Sequence, residues 1–287
     1  MRKYVNIFDI SSHLYAAYKQ FTKDGTPTNP DAYYKGEPVY CLGAVLGMVH
    51  KDLRLAAEIG HYNTHTIIVF DHPDRNFRHD IYPDYKSSRP PKDPEYIRQY
   101  ELAYDMFQTQ GFACLCEPGV ETDDVIGTIA KKLDKAGVQT LIHSRDKDTL
   151  VSVTDNVRQY DRISKIYYDR QEVIKKMGVP PEKVTEFLTL KGDVSDSIPG
   201  VPGVADGYAK ILLEKYSLRQ LIREPELIKT TSIRGKDKIS EYFKNHSDNI
   251  IMAHELVKLR TDINLKTNLA DFVKREPQAG NFLELIL

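Results

Sequence analysis

The chain has 287 residues, of which 41% are apolar and 28% charged, and its 40 basic and 41 acidic side chains give a formal net charge of -1. This composition suits one large core, or a core with a smaller appended domain, and it excludes a uniformly basic nucleic-acid binder. No apolar stretch approaches the roughly 20 residues of a membrane span, and the three cysteines have no zinc-type spacing, so we expect a reduced, cytoplasmic protein.

Four short apolar runs, rich in β-branched and aromatic residues, predict strands that are buried on both faces. They are YVNIF, HTIIVF, FACLC and VQTLI. Helix-period stretches lie between them, for example Val39 to Ile59 and Val125 to Ala136, and this βαβα alternation predicts a mostly parallel sheet. Such sheets bind ligands at the carboxyl ends of their strands.

Beyond about residue 178 the pattern changes to short helices separated by turn residues, with no convincing strand. The segment from Asp206 to Arg260 holds 11 Lys or Arg and 8 Asp or Glu, a local net charge of +3 from 11 minus 8. This pattern predicts a smaller helical domain. The segment from Thr22 to Pro38 is rich in glycine and proline, which predicts an exposed loop or insertion.

Nine carboxylates lie in five short segments, where predicted strands end or helices begin. They are Asp9, Asp71, Glu121, Asp123, Asp124, Asp146, Asp148, Asp193 and Asp196. Two like charges about 4 Å apart repel by about 4 kcal/mol at an effective dielectric constant of roughly 20, so acids that converge would require cations. For a single acid, a helix cap, a turn or a solvated loop is the commoner role. For Asp9 and Asp71, each of which ends an apolar strand, a metal site is favoured.

Oxygen ligands without histidine or cysteine select Mg²⁺ or Mn²⁺ over zinc. Two such ions about 4 Å apart are the usual apparatus of phosphodiester hydrolysis. The acids therefore predict a two-metal site if their segments meet.

The segment FRHDIYPDYKSSRPP, residues 77–91, interleaves cations with aromatic rings. Arg78, Lys86 and Arg89 alternate with Tyr82 and Tyr85, a combination suited to phosphate charge and base stacking. Its own acids dilute the positive field, and an exposed loop whose cations snorkel explains the segment equally well.

The segment GVPGVADGYA, residues 200–209, places closely spaced glycines before a predicted helix. Exposed N–H groups at a helix N-terminus favour a phosphate without distinguishing bases. A connector between two helices is the commoner structure for such a turn. Its position directly after the last acids favours the phosphate-binding interpretation.

Taken together, these segments resemble the 5′-nuclease family: the 5′ to 3′ exonuclease domain of bacterial DNA polymerase I and the flap endonucleases of bacteria and phages. The matching stretches run in family order from Asp9 to about Leu265. They are FDISSHLYAAY, KGEPVY, VFDHPDRNFRHDIYPDYKSSRPP, EPGVETDDVIGTIA, SRDKDTLVSV, LKGDVSDSIPGVPGV and KLRTDINL.

The resemblance implies an α/β fold with a PIN-like (Rossmann-like), mostly parallel sheet flanked by helices. It also implies a helical arch and a C-terminal helical module of the helix–three-turn–helix type that binds DNA. The implied boundaries are 1–178 for the catalytic core, with the arch near 77–110, and 179–265 for the DNA-binding module, with its helix–three-turn–helix near 192–215. A C-terminal tail would occupy 266–287.

The resemblance also implies roles for individual residues. One metal ion would be bound by Asp9, Asp71, Glu121 and Asp123, and the other by Asp146, Asp148, Asp193 and Asp196, with Asp124 as a further acid acting through water. Lys86 would approach the scissile phosphate, Arg78 and Arg89 would support it electrostatically, and Tyr85 would stack on the terminal nucleotide. The DNA contacts would come from Gly200, Val201, Gly203, Val204, Lys210 and Tyr82, and the hairpin would hold a potassium ion.

Five positions depart from the family pattern without removing a metal ligand. Ile10 follows the first aspartate where glycine is usual, and a β-branched residue does not easily adopt φ > 0, so we expect a different turn after the first strand. Thr122 replaces alanine and could cap the following helix. Arg145 replaces glycine and adds a cation beside the acids, Ser197 replaces asparagine, and Ala205 replaces a hairpin glycine, which weakens the potassium expectation.

The implied function is a structure-specific 5′-nuclease, a 5′ to 3′ exonuclease or flap endonuclease using two Mg²⁺ ions, for which Mn²⁺ would substitute. We expect a monomer that acts on DNA with a 5′ single-stranded end or flap, including RNA/DNA primers. It would work with replication proteins in DNA replication, repair or primer removal, in the cytoplasm of a bacterial or phage-infected cell. Because only about 20 residues follow Leu265, the implied form is a stand-alone enzyme.

Two alternatives from other classes remain. A catalytically silent DNA-junction binding protein would lack a metal ligand, and none is missing. A PIN-type ribonuclease would use the same metal chemistry on RNA and would lack the glycine-rich segment after the last acids.

Overall fold

The computed structural model describes residues 4–276 apart from 24–25, 28–32, 35–36 and 62. Six of its strands form one sheet: β1 (Tyr4–Asp9), β2 (Asn63–Phe70), β3 (Ala113–Cys116), β4 (Gln139–His143), β5 (Val157–Asp161) and β6 (Ile166–Tyr168). Their order across the sheet is β6-β5-β4-β1-β2-β3. Every neighbouring pair is parallel except β5 and β6.

Helices make up most of the remaining regular structure. The described residues contain α1 (Ile10–Phe21), α2 (Leu42–Glu58), α3 (Phe77–Ile81), α4 (Pro94–Thr109), α5 (Thr122–Lys135), α6 (Arg170–Met177), α7 (Val184–Lys191), α8 (Asp206–Lys215), α9 (Leu218–Arg223), α10 (Lys236–Asn245) and α11 (Ser247–Val257). Short 3₁₀ turns lie at Asp148–Ser152, Pro181–Lys183, Val194–Asp196, Pro225–Thr230 and Leu269–Phe272. None of the helices described here is both long and apolar enough to cross a bilayer.

Both faces of the sheet are covered, which explains why its central strands are largely apolar. On one face, Phe8 and Phe70 pack against residues of α1, α2 and α4. On the other face, Ile7 and Val69 pack against residues of α5. The four predicted strands are present, and the predicted α/β class with a mostly parallel sheet flanked by helices is confirmed.

The strands β5 and β6 are not predicted by the sequence pattern. The β5 sequence, VRQYD, mixes polar and apolar residues, yet Gln159 is fully buried. Its amide donates to the carbonyl oxygens of Ser144 and Asp146 at 3.1 and 2.8 Å. A buried polar residue of this kind is satisfied only by tertiary partners, which periodicity does not reveal.

The chain passes directly from β1 to α1, with Ile10 in the position where glycine is usual. Asp9 caps α1 by accepting the Ser11 N–H at 3.1 Å, and the helix begins directly at Ile10. The Ile10 side chain is buried, and the helical backbone there requires no positive φ.

The segment from Thr22 to Pro38 contains two pairs of two-residue strands, Thr22–Lys23 with Thr26–Pro27 and Tyr33–Tyr34 with Glu37–Pro38. The predicted exposed loop otherwise lies outside the described residues, as does the predicted tail beyond residue 276.

Beyond residue 178 the described chain consists of helices, turns and isolated bridges, as predicted. Its core contains Leu188, Leu212 and Phe243, and it continues without interruption to Leu150 and Tyr85 of the preceding part of the chain. The helical C-terminal part is therefore packed firmly on the α/β part.

Gly192 and Gly200 lie back to back where α7 ends. Gly192 has a φ of 78°, and a methyl group added at Gly200 would lie 2.2 Å from the carbonyl oxygen of Lys191. Two backbone segments are in direct contact here, so room for a larger side chain can be made only by moving the backbone.

We expect Gly200→Ala to lower the free energy of unfolding by about 2 kcal/mol, because the two backbone segments must separate. Gly207→Ala is the matched control: nothing lies within 4 Å of a methyl group added in the first turn of α8, so alanine there should be neutral or stabilise by up to about 1 kcal/mol. Urea unfolding followed by circular dichroism measures both. Equal midpoints for the two variants would contradict the packing described.

Candidate active site

The sheet connectivity changes direction between β1 and β4, which is where open α/β sheets form a ligand-binding crevice. Asp9 is the last residue of β1. Asp71 directly follows β2, and Asp146 comes shortly after β4. Three of the predicted metal ligands therefore lie at the carboxyl edge of adjacent strands.

Eight of the nine predicted carboxylates come together at this edge, close enough for their charges to act on one another. This acid cluster consists of Asp9, Asp71, Glu121, Asp123, Asp146, Asp148, Asp193 and Asp196. The first turn of α5 and the 3₁₀ turn after α7 complete it. All five predicted segments meet.

Burial and neighbouring negative charge disfavour ionisation inside the acid cluster. Burial and the charge of Asp71 raise the pKa of Asp9 to about 6. Burial and the charge of Asp146 raise the pKa values of Asp123 and Asp148 well above their ordinary range. Asp148 Oδ1 is also buried without a hydrogen-bond partner in the described structure. An all-oxygen donor set with an unsatisfied carboxylate oxygen fits a hard divalent cation such as Mg²⁺.

Basic side chains contact the rim of the acid cluster. Lys86 Nζ lies 2.5 Å from Glu121 Oε1 and 3.9 Å from Asp196 Oδ2, and Arg89 pairs with Asp196. With the side chains in these positions, no group of three or more His, Cys, Asp or Glu residues in the described ranges surrounds a point that could hold a metal ion. A cation bound to Glu121 or Asp196 would compete with Lys86 and Arg89 for the same carboxylate oxygens.

The segment after α3 is attached to the turn after α7. Lys86 has a φ of 57°, and its N–H donates to the carbonyl oxygen of Asp196 at 2.9 Å. The Ser88 N–H donates to Ser197 Oγ at 3.3 Å. Burial alone would lower the pKa of the Lys86 ammonium, but the charges of Glu121 and Asp196 outweigh it and raise that pKa. Lys86 is therefore held charged beside the acids.

Tyr85 is not placed to stack on a nucleotide. Its side chain is only 3% exposed and belongs to the core of the C-terminal helices. Its hydroxyl lies 3.1 Å from Glu121 Oε2 and 3.2 Å from Asp196 Oδ2. The expected stacking role is wrong, because the Tyr85 ring anchors the segment and its hydroxyl bridges two acids. Tyr82 is half-buried against the same core.

Arg78 and Asp124 form a buried ion pair beside the acid cluster. Two guanidinium nitrogens of Arg78 donate to the two carboxylate oxygens of Asp124 at 2.6 and 2.8 Å. The N–H groups of Glu121 and Arg260 donate to the same carboxylate at 3.1 and 2.8 Å, and Arg78 Nε donates to Leu256 O at 2.7 Å. The acceptor positions of Asp124 are filled. The expected metal role of Asp124 and phosphate role of Arg78 are therefore corrected to a structural one.

The hairpin at residues 200–209 lies directly beyond the acid cluster. Val201 and Val204 are 4% and 6% exposed and belong to the core, so the expectation that they contact DNA is wrong. Gly203 is exposed with a φ of 83°, and Lys210 in α8 is half-buried. The exposed main chain around Gly203 and the start of α8 remain available to a phosphate.

Two contacts to the acid cluster come from residues that the sequence pattern does not single out. Ser144 Oγ donates to Asp9 Oδ2 at 2.9 Å, and Lys147 Nζ lies 2.6 Å from Asp193 Oδ2. Both residues flank Asp146 within SRDKD. Their position beside Asp146 is the only feature of the sequence that indicates these contacts.

Two family models match this chain. The 5′-3′ exonuclease N-terminal resolvase-like domain matches residues 4–178, and the 5′-3′ exonuclease C-terminal SAM fold matches residues 179–280. The 5′-3′ exonuclease of Buchnera aphidicola subsp. Acyrthosiphon pisum is 28% identical over 283 residues, which are 98% of this chain and 95% of that protein. DNA polymerase I of Rhizobium leguminosarum is 34% identical over 248 residues, 85% of this chain and 24% of the polymerase.

Solved structures share the fold. A phage T5 5′-exonuclease with bound zinc ions has a TM-score of 0.67 at 20% identity, covering 90% of each chain. The phage T5 flap endonuclease in a pseudo-enzyme-product complex with DNA and metal ions has a TM-score of 0.71 at 18% identity, again over 90% of each chain.

The fold, the acid cluster and the matching sequences define a class of enzyme, the metal-dependent phosphodiester hydrolases that act as 5′-3′ exonucleases or flap endonucleases on DNA. The chain belongs to the 5′-3′ exonuclease family. The resemblance expressed in its motifs is therefore confirmed.

The Arg78–Asp124 pair gives a direct test of the corrected roles. We expect Asp124→Asn to lower the free energy of unfolding by about 3 kcal/mol, because it leaves the Arg78 charge buried without its partner. A carboxylate that belonged to the acid cluster would instead leave stability unchanged or raised when neutralised. Glu182→Gln, which breaks an exposed pair with Arg170, is the control and should be nearly neutral. Thermal and urea unfolding without added metal separate these outcomes.

Proposed function

We propose that this protein is a structure-specific 5′-nuclease that cleaves DNA near a 5′ single-stranded end or flap and uses two divalent cations. The observation that carries the proposal is the convergence of eight carboxylates at the switch point of the sheet, with Lys86 and Arg89 set against them. Two Mg²⁺ ions, or Mn²⁺ in their place, would activate the attacking water and stabilise the charge of the transition state.

The carboxylates divide into two groups by their position in the fold. The proposed ligands of one ion are Asp9, Asp71, Glu121 and Asp123, and those of the other are Asp146, Asp148, Asp193 and Asp196. The first group lies at the ends of β1 and β2 and at the start of α5. The second follows β4 and α7, and its unsatisfied Asp148 oxygen supports it.

Lys86 is the proposed phosphate ligand. Its main chain is fixed by the N–H bond to Asp196 O, and its side chain would exchange the contact with Glu121 for a phosphate. Arg89 is about half exposed and can accompany it by leaving Asp196. A lysine that exchanges a carboxylate for a phosphate keeps its charge compensated throughout.

The C-terminal helices are the proposed duplex-binding module. The local charge of +3 from Asp206 to Arg260 and the exposed hairpin around Gly203 support contact with the phosphate backbone. Solved complexes of the phage T5 flap endonuclease and of the Rad2 catalytic core contain DNA, which supports a similar surface here. The proposal includes the domain limits 1–178 and 179–265 and the arch near 77–110.

The finer expectations belong to the same proposal. They are a potassium ion at the hairpin, action as a monomer with replication proteins, a role in primer removal, and a cytoplasmic location in bacterial or phage-infected cells. The Ala205 backbone is extended at the start of α8, where a hairpin glycine is usual. The potassium ion therefore has the least support of the four.

Incubation with a 5′-labelled DNA flap tests the proposal. With Mg²⁺ or Mn²⁺ we expect release of the single-stranded arm, and no cleavage in EDTA. The same flap made of RNA is the comparison, and preferential cleavage of RNA would favour a PIN-type ribonuclease. Tight binding of the DNA without cleavage at any divalent concentration would leave only a junction-binding protein.

Lys86→Ala should lower kcat by about 100-fold or more, because a charge placed at the reacting phosphate is lost, while the Kd for the duplex changes little. Single-turnover rates and binding by fluorescence anisotropy measure the two effects. Lys165→Ala removes an exposed lysine on the turn between β5 and β6 and should leave both quantities unchanged. Equal losses of rate and affinity for Lys86→Ala would contradict the proposed role.

A further inference from the structure

Both carboxylate oxygens of Asp71 accept hydrogen bonds from hydroxyl groups. Thr122 donates twice to Oδ1, through its N–H at 3.1 Å and its hydroxyl at 2.7 Å. Ser11 Oγ donates to Oδ2 at 2.9 Å.

Tyr100, on α4, completes a ring of hydrogen bonds that begins and ends on Asp71. The Asp71 N–H donates to the Tyr100 hydroxyl oxygen at 2.5 Å. The Tyr100 hydroxyl lies 3.1 Å from Ser11 Oγ, and Ser11 Oγ lies 2.9 Å from Asp71 Oδ2. The end of β2, α4 and α1 are thereby joined in one closed circuit.

The direction of each bond in this ring is fixed by chemistry. A hydroxyl has one hydrogen to donate, and an ionised carboxylate only accepts. Ser11 must give its hydrogen to Asp71, so the bond between the two hydroxyls must be donated by Tyr100. The main-chain N–H of Asp71 can only donate, which agrees with the remaining lone pair on Tyr100. The circuit is therefore fully satisfied in a single arrangement, and such chains polarise and strengthen one another.

We propose that Thr122 and Tyr100 are positioning residues that clamp Asp71 from two sides, Thr122 at Oδ1 and Tyr100 at the main-chain N–H and, through Ser11, at Oδ2, and so set the affinity of the acid cluster for divalent cations. This inference rests on the proposed function, since it assigns Asp71 to one of the two cations. Neither residue reaches the reacting atoms. Each acts through Asp71, as the partners of ligating carboxylates do in metal sites, where their loss typically costs 10- to 100-fold in metal affinity or activity.

The ring of Tyr100 contributes to packing, whereas its hydroxyl contributes to the clamp. The Tyr100 ring packs against Phe70 with a centroid distance of 5.3 Å, and Tyr104, one turn later on α4, packs against the same Phe70 at 5.0 Å. Of these two tyrosines, only Tyr100 has its hydroxyl within hydrogen-bond distance of Asp71. The two tyrosines therefore separate packing from clamping within one helix.

The experiment measures Mn²⁺ binding to the protein without DNA, by isothermal titration calorimetry, together with thermal unfolding and flap cleavage. Tyr100→Phe removes one hydroxyl from the ring, and Tyr104→Phe is the matched control. Thr122→Val removes the other hydroxyl at nearly constant shape, and Thr122→Ser retains it. We expect Tyr100→Phe and Thr122→Val each to weaken Mn²⁺ binding about 10-fold or more, while Tyr104→Phe and Thr122→Ser stay near the unmodified protein.

The same metal dependence should appear in the reaction. The Mn²⁺ concentration for half-maximal cleavage should rise for Tyr100→Phe and Thr122→Val, and saturating Mn²⁺ should restore much of the rate. A purely structural role would lower the thermal midpoint without moving this concentration. Mn²⁺ affinities for Tyr100→Phe and Tyr104→Phe that agree, or a loss in Thr122→Ser equal to that in Thr122→Val, would overturn the clamp. An unmodified protein that neither binds Mn²⁺ nor cleaves the flap would overturn the proposed function, and the clamp with it.

Discussion

The repulsion among eight carboxylates at one edge of the sheet is the constraint on which the rest of the molecule depends. A single pair at about 4 Å costs about 4 kcal/mol at an effective dielectric constant of roughly 20, and the acids of the cluster lie close enough for their charges to act on one another. Different parts of the cluster are relieved in different ways. Lys86, Arg89 and Lys147 offset charge at the rim, hydroxyl groups hold Asp71, and Asp9 has a raised pKa instead.

The same constraint explains how the C-terminal helices are attached. The turn after α7 supplies Asp196, and the segment after α3 reaches it through the Lys86 N–H and the Arg89 guanidinium. A second attachment runs through the Arg78–Asp124 pair, which also binds the last turn of α11 through the Leu256 carbonyl oxygen. Two polar attachments therefore flank the acids, and a continuous apolar core lies beneath them. The site is formed by both parts of the chain.

The outline of the fold can be predicted from the sequence because β1 to β4 contain short, largely apolar runs. Such runs are typical of strands that are buried on both faces. The strand β5 cannot be predicted in this way, because the burial of Gln159 depends on carbonyl groups of the turn that follows β4. The acids are also predictable, since each ends a strand or begins a helix. The roles of Arg78 and Tyr85 cannot be predicted in this way, because the sequence does not show whether an arginine or a tyrosine is exposed or buried. The partner that decides their role lies far along the chain.

The order of the acids along the chain also bears on the synthesis of the protein. The bond from the Arg260 N–H to Asp124 spans 136 residues, and Asp193 and Asp196 follow the other six acids of the cluster by many residues. A growing chain, which emerges from its N-terminus, therefore exposes an incomplete set of ligands for most of its synthesis. Bringing such distant residues together is slow compared with forming local helices. The complete acid cluster therefore forms only once the turn after α7, which carries Asp193 and Asp196, has docked on the α/β part of the chain.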